Sequence, residues 1–329
     1  MSDGQTPRPR ALVLSPMRGS GFEQLKEVAD VVYDPSTVPV PFRYYGDEQV
    51  AARVEEAGAT ILVVEADQVG PKTLDQPLRV VGCTRGDPNN VDVAAATARG
   101  IPVLRAPGRN ADGVAELTVG LLFAATRGIV EGDRQVRAGE TYKDGSIPYQ
   151  RFRAWELAGR TVGIVGYGAI GRALAWRLTG LGMKVLAYDP YAPDATSTLD
   201  ELLAEADVIS MHAPVTPETR AMIGAEQFAR MREGAVYLNA ARAALHDTDA
   251  LVRALESGHL AAAGLDHFEG ERLPVDHPLV SMPQVVLTPH IGGATFDTET
   301  NHARMIGEGI TAVLRGERPA NLVNPEVMG

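Results

Sequence analysis

The sequence predicts an α/β protein made of two doubly wound parallel-sheet domains, and three observations carry that expectation. At 329 residues the chain is longer than one compact domain of ordinary size. Short β-branched runs alternate with helical patterns from end to end, the signature of parallel strands joined by helices. The alternation also occurs twice, with an apolar helix and a polar irregular stretch between the two series.

The first series contains the strands ALVLS, VADVVYD, ATILVVE and LRVVG. The segment AELTVGLLFAATR, residues 115–127, is apolar nearly all round and predicts a helix buried on most sides, a seam between domains or subunits. Residues 138–158 are polar, aperiodic and punctuated by Gly and Pro, so an ordered surface loop is expected there. The second series, TVGIVG, KVLAYD, DVISMHA, GAVYLNA, AAAGLDHF and VVLTPH, supplies six candidate strands, the count of a dinucleotide-binding sheet. Thr198 and Glu201 have capping-box spacing ahead of LLAEA and mark a helix start. The tail follows a helical stretch and ends in turn residues.

Composition excludes several function classes. A formal charge of −11 argues against nucleic acid and anionic membrane as partners, since both require an excess of Lys and Arg. The single cysteine, Cys83, excludes an intrachain disulfide and a multi-cysteine metal site, and no metal ligand is assigned. MSDGQTPRPR lacks the apolar core of a signal peptide, and VAELTVGLLFAAT is too short to span a bilayer. A soluble, cytoplasmic protein is expected.

The most specific motif is TVGIVGYGAIGRALAWRL. Here an apolar strand runs into Gly166, Tyr167, Gly168, Ala169, Ile170 and Gly171 and then into a helical pattern. Gly166 permits a tight turn, Gly168 lets backbone approach a pyrophosphate, and Gly171 lets helix and strand pack closely. The helix N-terminus adds N–H groups and a favourable dipole. A second strand ends in Asp189, 18 residues beyond Gly171, placed to accept from adenosine ribose hydroxyls and to repel a 2′-phosphate. YDPYAPD offers no arginine for that phosphate, so the expected cofactor is NAD; the plain alternative is that Asp189 only begins a turn.

Ligands of open parallel sheets sit outside the carboxyl ends of the strands. Arg242, Glu271 and His290 each follow a predicted strand and converge on one crevice if the six strands share a sheet. An arginine can grip a carboxylate at two points, a histidine can shuttle a proton near neutral pH, and a carboxylate can hold the imidazole and favour its charged form. Taken singly, the arginine reads as surface, the histidine as a structural turn and the glutamate as salt-bridge material; their joint position favours chemistry. Asp266 is expected to be a buried acid at its strand end, assigned to the nicotinamide carboxamide.

With these residues in place, the sequence resembles the D-isomer-specific 2-hydroxyacid dehydrogenases, the family that includes phosphoglycerate dehydrogenase and glyoxylate and hydroxypyruvate reductases. The resemblance runs through NVDVAAATARGIPVLRAPG, NADGVAELT, VGIVGYGAIGRALA, ADVISMHAPVTPETR, LNAARAALHDTDAL, GLDHFEGE, LTPHIGGAT and NLVNPEV. It implies a Rossmann nucleotide-binding domain, residues 111–295, inserted into a flavodoxin-like substrate domain made of residues 1–110 and 296–329. It implies NAD-dependent interconversion of a D-2-hydroxy acid and its 2-oxo acid, with Arg242, Glu271 and His290 as the catalytic set. It also implies a homodimer through the nucleotide domain, and a cofactor environment that includes Thr118, His212, Pro214, Ala240 and Gly292. His212 is a much weaker candidate for the catalytic base than His290, and the four histidines other than these and His267 are left as surface or packing residues. Three departures stand out: Ala243 in place of a glycine, His267 in place of a usual valine, and Arg272 in place of a proline.

Rival readings are oxidation of a compact oxyanion such as phosphite, and a non-catalytic NAD-sensing scaffold of the corepressor type. The first is weakened in its formate branch, whose enzymes use glutamine where this chain has Glu271. The second would need partner-docking surface, and neither a long extension nor a basic patch is expected from this sequence.

The turn VVGCTRGDPNNVDV, residues 80–93, aligns with the family's stretch of N–H groups that meet the substrate carboxylate. Pro88 stiffens it and removes a donor. Thr84, Arg85 and Gly86 are assigned to substrate, with Arg85 meeting a second anionic group such as a phosphate, phosphonate or carboxylate. The alternative is that Arg85 pairs with Asp87 or faces solvent. Cys83 is read as a half-buried packing residue.

Overall fold

The computed structural model describes residues 8–329 apart from 37, 39 and 40. The chain forms two compact units, Met1–Arg109 with Thr295–Gly329, and Asn110–Ala294.

In the first unit, strands β1 (Arg10–Val13), β2 (Asp30–Tyr33), β3 (Ile61–Val64), β4 (Val80–Cys83) and β5 (Val103–Leu104) form a parallel sheet of order β2-β1-β3-β4-β5. This is the flavodoxin-like order. Alternate residues of β1 and the residue after it serve opposite faces: Leu12 and Leu14 enter one apolar cluster with Val50, Val54 and Leu62, while Ala11 and Val13 enter another with Phe22, Ile306 and Ile310. Strand β5 has only two residues, too few to show a period, and was not among the strands expected from the pattern. The tail completes the unit. Leu322 bridges Leu104, and the Asn324 side chain accepts from the Val103 N–H at 2.8 Å and donates to the Ile101 carbonyl at 2.9 Å. NLVNPEV is therefore a strap whose asparagine closes the sheet edge.

In the second unit, β6 (Thr161–Val165), β7 (Lys184–Tyr188), β8 (Val208–Met211), β9 (Ala235–Asn239), β10 (Leu260–Leu265) and β11 (Val285–Leu287) form a six-stranded parallel sheet of order β11-β10-β9-β8-β6-β7. The order reverses between β6 and β8, and that switch is where such sheets open a crevice. The helix expected at 115–127 begins earlier, at Ala111, and is buried on one face only, through Val114, Ala115, Thr118, Leu121 and Leu122. Its other face is half-exposed because the sheet lies on one side. The expected loop 138–158 contains short helical turns at Lys143–Gly145 and Pro148–Arg151. Thr198 and Glu201 form the anticipated capping box. Among the described residues no single helix is long and apolar enough to cross a membrane.

Candidate active site

Strand β6 runs into the glycine loop, where sterics explain two of the three glycines. Gly166 has φ +95°, and a Cβ there would lie 2.4 Å from the Ala213 nitrogen; a Cβ on Gly171 would lie 2.3 Å from the Gly166 carbonyl oxygen. Around Gly168, by contrast, a Cβ would meet nothing within 4 Å, and the helix it precedes, Ala169–Gly180, has no side-chain cap. An open approach to uncapped N–H groups fits a pyrophosphate. At the end of β7 the Asp189 carboxylate accepts from the Tyr167 N–H at 2.8 Å and the Tyr191 N–H at 2.9 Å, which ties it to the loop. Arg172, on the same helix, pairs with Asp194 and lies over the Tyr167 ring.

Of the other residues assigned to the cofactor, His212, Pro214 and Ala240 follow strand ends, whereas Thr118 lies within the helix Ala111–Arg127. His212, after β8, shares a hydrogen bond of 2.8 Å with the Ser210 hydroxyl, its Nδ1 is buried without a partner, and burial lowers its pKa to about 4. Pro214 is exposed and Ala240 is buried. Thr118 is buried and its hydroxyl donates to the Val114 carbonyl one turn back, so that hydrogen is spent inside its own helix.

The three strand-end side chains are reached from β9, β10 and β11. His290 Nδ1 lies 3.0 Å from Glu271 Oε1, and the two residues are among only four non-glycine positions with positive φ among the described residues, at +55° and +57°. Left-handed backbone at ordinary residues costs about 1–3 kcal/mol and persists only where the surroundings impose it. Asp266 imposes it on the His290 loop. Fully buried at the end of β10, its carboxylate accepts from the Thr288 hydroxyl at 2.6 Å and from the N–H groups of Ile291 and Gly292 at 2.9 and 2.8 Å. Three of its acceptor positions are thus committed to the loop that presents His290.

Arg242 has an equivalent support that its sequence context does not announce. The Asn239 side chain accepts from the Ala241 N–H at 3.0 Å and donates to the Arg242 carbonyl at 2.9 Å and to His246 Nδ1 at 3.0 Å. Every hydrogen-bonding position of that amide's N–H pair is used to fix the turn. His246, read from sequence as surface or packing, is a buried partner in this network, and burial lowers its pKa to about 4. His267 is also buried, with its ring centroid 3.8 Å from that of His290.

The turn after β4 belongs to the first unit. Thr84 is fully buried and hydrogen-bonded to the Ser15 hydroxyl at 2.8 Å. Arg85 is half-buried and donates to the neutral Asn89 Oδ1 at 3.2 Å, so the pairing with Asp87 considered from sequence does not form. The Gly86 N–H donates to no group among the described residues. Cys83 is fully rather than half buried, and burial pushes its thiol up to about 11.

A parallel sheet with an open glycine loop at its switch point, an acid ending the next strand, and Arg, Glu and His at three further strand ends defines a dinucleotide-dependent dehydrogenase. Comparison with known proteins makes this specific. A family model described as "D-isomer specific 2-hydroxyacid dehydrogenase, NAD binding domain" matches residues 119–292. A glyoxylate reductase of Thermofilum pendens is 38% identical over 98% of this chain and 96% of its own length. A D-3-phosphoglycerate dehydrogenase of Methanocaldococcus jannaschii is 34% identical over 96% of this chain and 59% of its own. A solved structure of a Thermus thermophilus protein superposes with a TM-score of 0.81 at 37% identity, covering 95% of this chain and 99% of that one. The chain belongs to the D-isomer-specific 2-hydroxyacid dehydrogenases. It is an NAD-dependent dehydrogenase of CH–OH donors that interconverts 2-hydroxy acids and 2-oxo acids.

Proposed function

We propose that Arg242, Glu271 and His290 carry this reaction, and that the D-2-hydroxy acid it serves bears a second anionic group. The observation that carries the first part is the 3.0 Å pair between His290 Nδ1 and Glu271 Oε1, held in backbone conformations that ordinary residues rarely adopt. With Nδ1 facing the carboxylate, Nε2 is left to exchange a proton with the substrate oxygen. Arg242 grips the substrate carboxylate and polarises the neighbouring carbonyl. NAD, when bound, supplies or accepts the hydride. The glycine loop from Gly166 to Gly171, including Tyr167, Ala169 and Ile170, receives the pyrophosphate, and Asp189 keeps acceptor capacity for the ribose. Thr118, His212, Pro214, Ala240, Asp266 and Gly292 form the remaining cofactor environment, with Asp266 acting mainly through the loop it holds.

For the second anion, the support is that Arg85 leans on a neutral amide rather than on an acid, so its charge is not neutralised by that contact. The Gly86 N–H gives the same turn an additional donor. The two relatives differ on this point by name, one acting on glyoxylate and the other on a phosphorylated acid. The experiment is NADH oxidation over a panel of 2-oxo acids with and without a phosphate or distal carboxylate, for the wild type and Arg85→Ala. Arg85→Ala should lower kcat/KM about 10–100-fold on the doubly anionic members, the worth of one charged contact at 1.5–3 kcal/mol, and spare the others. An unchanged ratio removes the second anion.

A homodimer through the second unit belongs to the same reading. It is supported by exposed Ile129, Val130 and Val136 on the helix Ile129–Arg137 and by exposed Tyr142 and Trp155 in the stretch that follows it.

A further inference from the structure

We propose that His267, Glu271 and His290 form a binding site for a borderline divalent cation, zinc above all, and that zinc held there withdraws His290 from proton transfer. The three residues each offer a ligand atom, and these atoms all lie within 4.8 Å of one another. Glu271 Oε1 is 3.0 Å from His290 Nδ1 and 3.8 Å from His267 Nδ1. Tetrahedral zinc with ligand bonds of about 2.0–2.2 Å sets its ligands roughly 3.3–3.6 Å apart. The two observed separations bracket that spacing, and small side-chain rotations bring both to it. Two imidazoles and one carboxylate are also the donor set of open zinc sites, in which water takes the fourth position.

The second, independent observation is His267 itself. Its residue is 4% exposed, and its Nδ1 is buried with no hydrogen-bond partner, facing Glu271. Buried polar atoms are almost always partnered, and a cation is a partner that this nitrogen can accept. Arg242 opposes a cation here, while Glu271 and the buried Asp266 favour it. A valine at position 267 would leave only Glu271 and His290, two exposed ligands.

Zinc binding is independent of the catalytic assignment, whereas inhibition by zinc rests on His290 being the proton donor. The test is isothermal titration of chelator-treated protein with zinc chloride, and the visible spectrum after addition of Co²⁺, for the wild type and His267→Val, with NADH binding as the check that the variant is folded. One zinc per chain is expected, with a tetrahedral Co²⁺ spectrum. Affinity in His267→Val should fall at least about tenfold, the loss that even an outer partner's removal brings. Zinc should stop turnover reversibly with EDTA, and His267→Val should need correspondingly more of it. No stoichiometric binding to the wild type, or equal binding or equal inhibition in the variant, overturns the site. If His290→Ala keeps its turnover, the catalytic reading falls while the binding isotherms still judge the metal site.

Discussion

Single residues at this site work through their neighbours. Asp266, within the proposed cofactor environment, and Asn239, outside it, each spend most of their hydrogen-bonding capacity on the turn that carries His290 or Arg242. His302 does the same kind of work in the first unit. Arg109 can only donate, so His302 Nδ1 must accept from it at 2.7 Å; the Pro16 carbonyl can only accept, so Nε2–H must donate to it at 2.5 Å. The ring is therefore locked neutral, and burial together with Arg109 lowers its pKa to about 4. Because the folded pKa lies below the ordinary 6.5, the unfolded chain binds more protons between the two values. Stability is full above pH 6.5 and is lost as pH falls toward 4, by up to about 3 kcal/mol from this group. His246 and His267 add in the same direction. Thermal midpoints should fall steeply over that window and less steeply in His302→Gln; a flat midpoint from pH 6.5 to 4.5 contradicts the neutral lock.

At the scale of elements, legibility followed period and length. The interior strands show in sequence because both faces of a parallel sheet are covered there, which makes them near-continuous apolar runs. β5 is too short to have a pattern. The helix Ala111–Arg127 is apolar nearly all round, yet the sheet covers only one of its faces, since composition records what a surface prefers and not which neighbour it meets. Gly166 and Gly171 were readable because each answers a backbone constraint written into a fixed spacing, and Gly168 because the same spacing leaves the approach to the helix N-terminus open. The strand-end positions of Arg242, Glu271 and His290 were readable from topology. The clamps made by Asp266 and Asn239 were not, because a hydrogen bond across a turn leaves no periodic trace. The neutral state of His302 was hidden for a related reason: its partners, Pro16 and Arg109, lie far away along the chain.

At the scale of the molecule, each unit closes its own sheet and places polar side chains at the carboxyl ends of parallel strands. The family accounts for that plan, and the exposed apolar side chains from Ile129 to Trp155 give the second unit a surface that suits a second copy. Light scattering should return twice the 35.0 kDa chain mass, and a monomer at working concentrations would remove the dimer. The central claim is that His290, held by Glu271, moves the proton while the glycine loop separately holds the cofactor. The measurement that tests it most directly is single-turnover NADH oxidation by His290→Ala with an accepted 2-oxo acid, beside an NADH binding titration. The account predicts a rate lower by about 10²–10⁴-fold, the usual contribution of a positioned acid, with NADH affinity preserved. Wild-type turnover in that variant would contradict it.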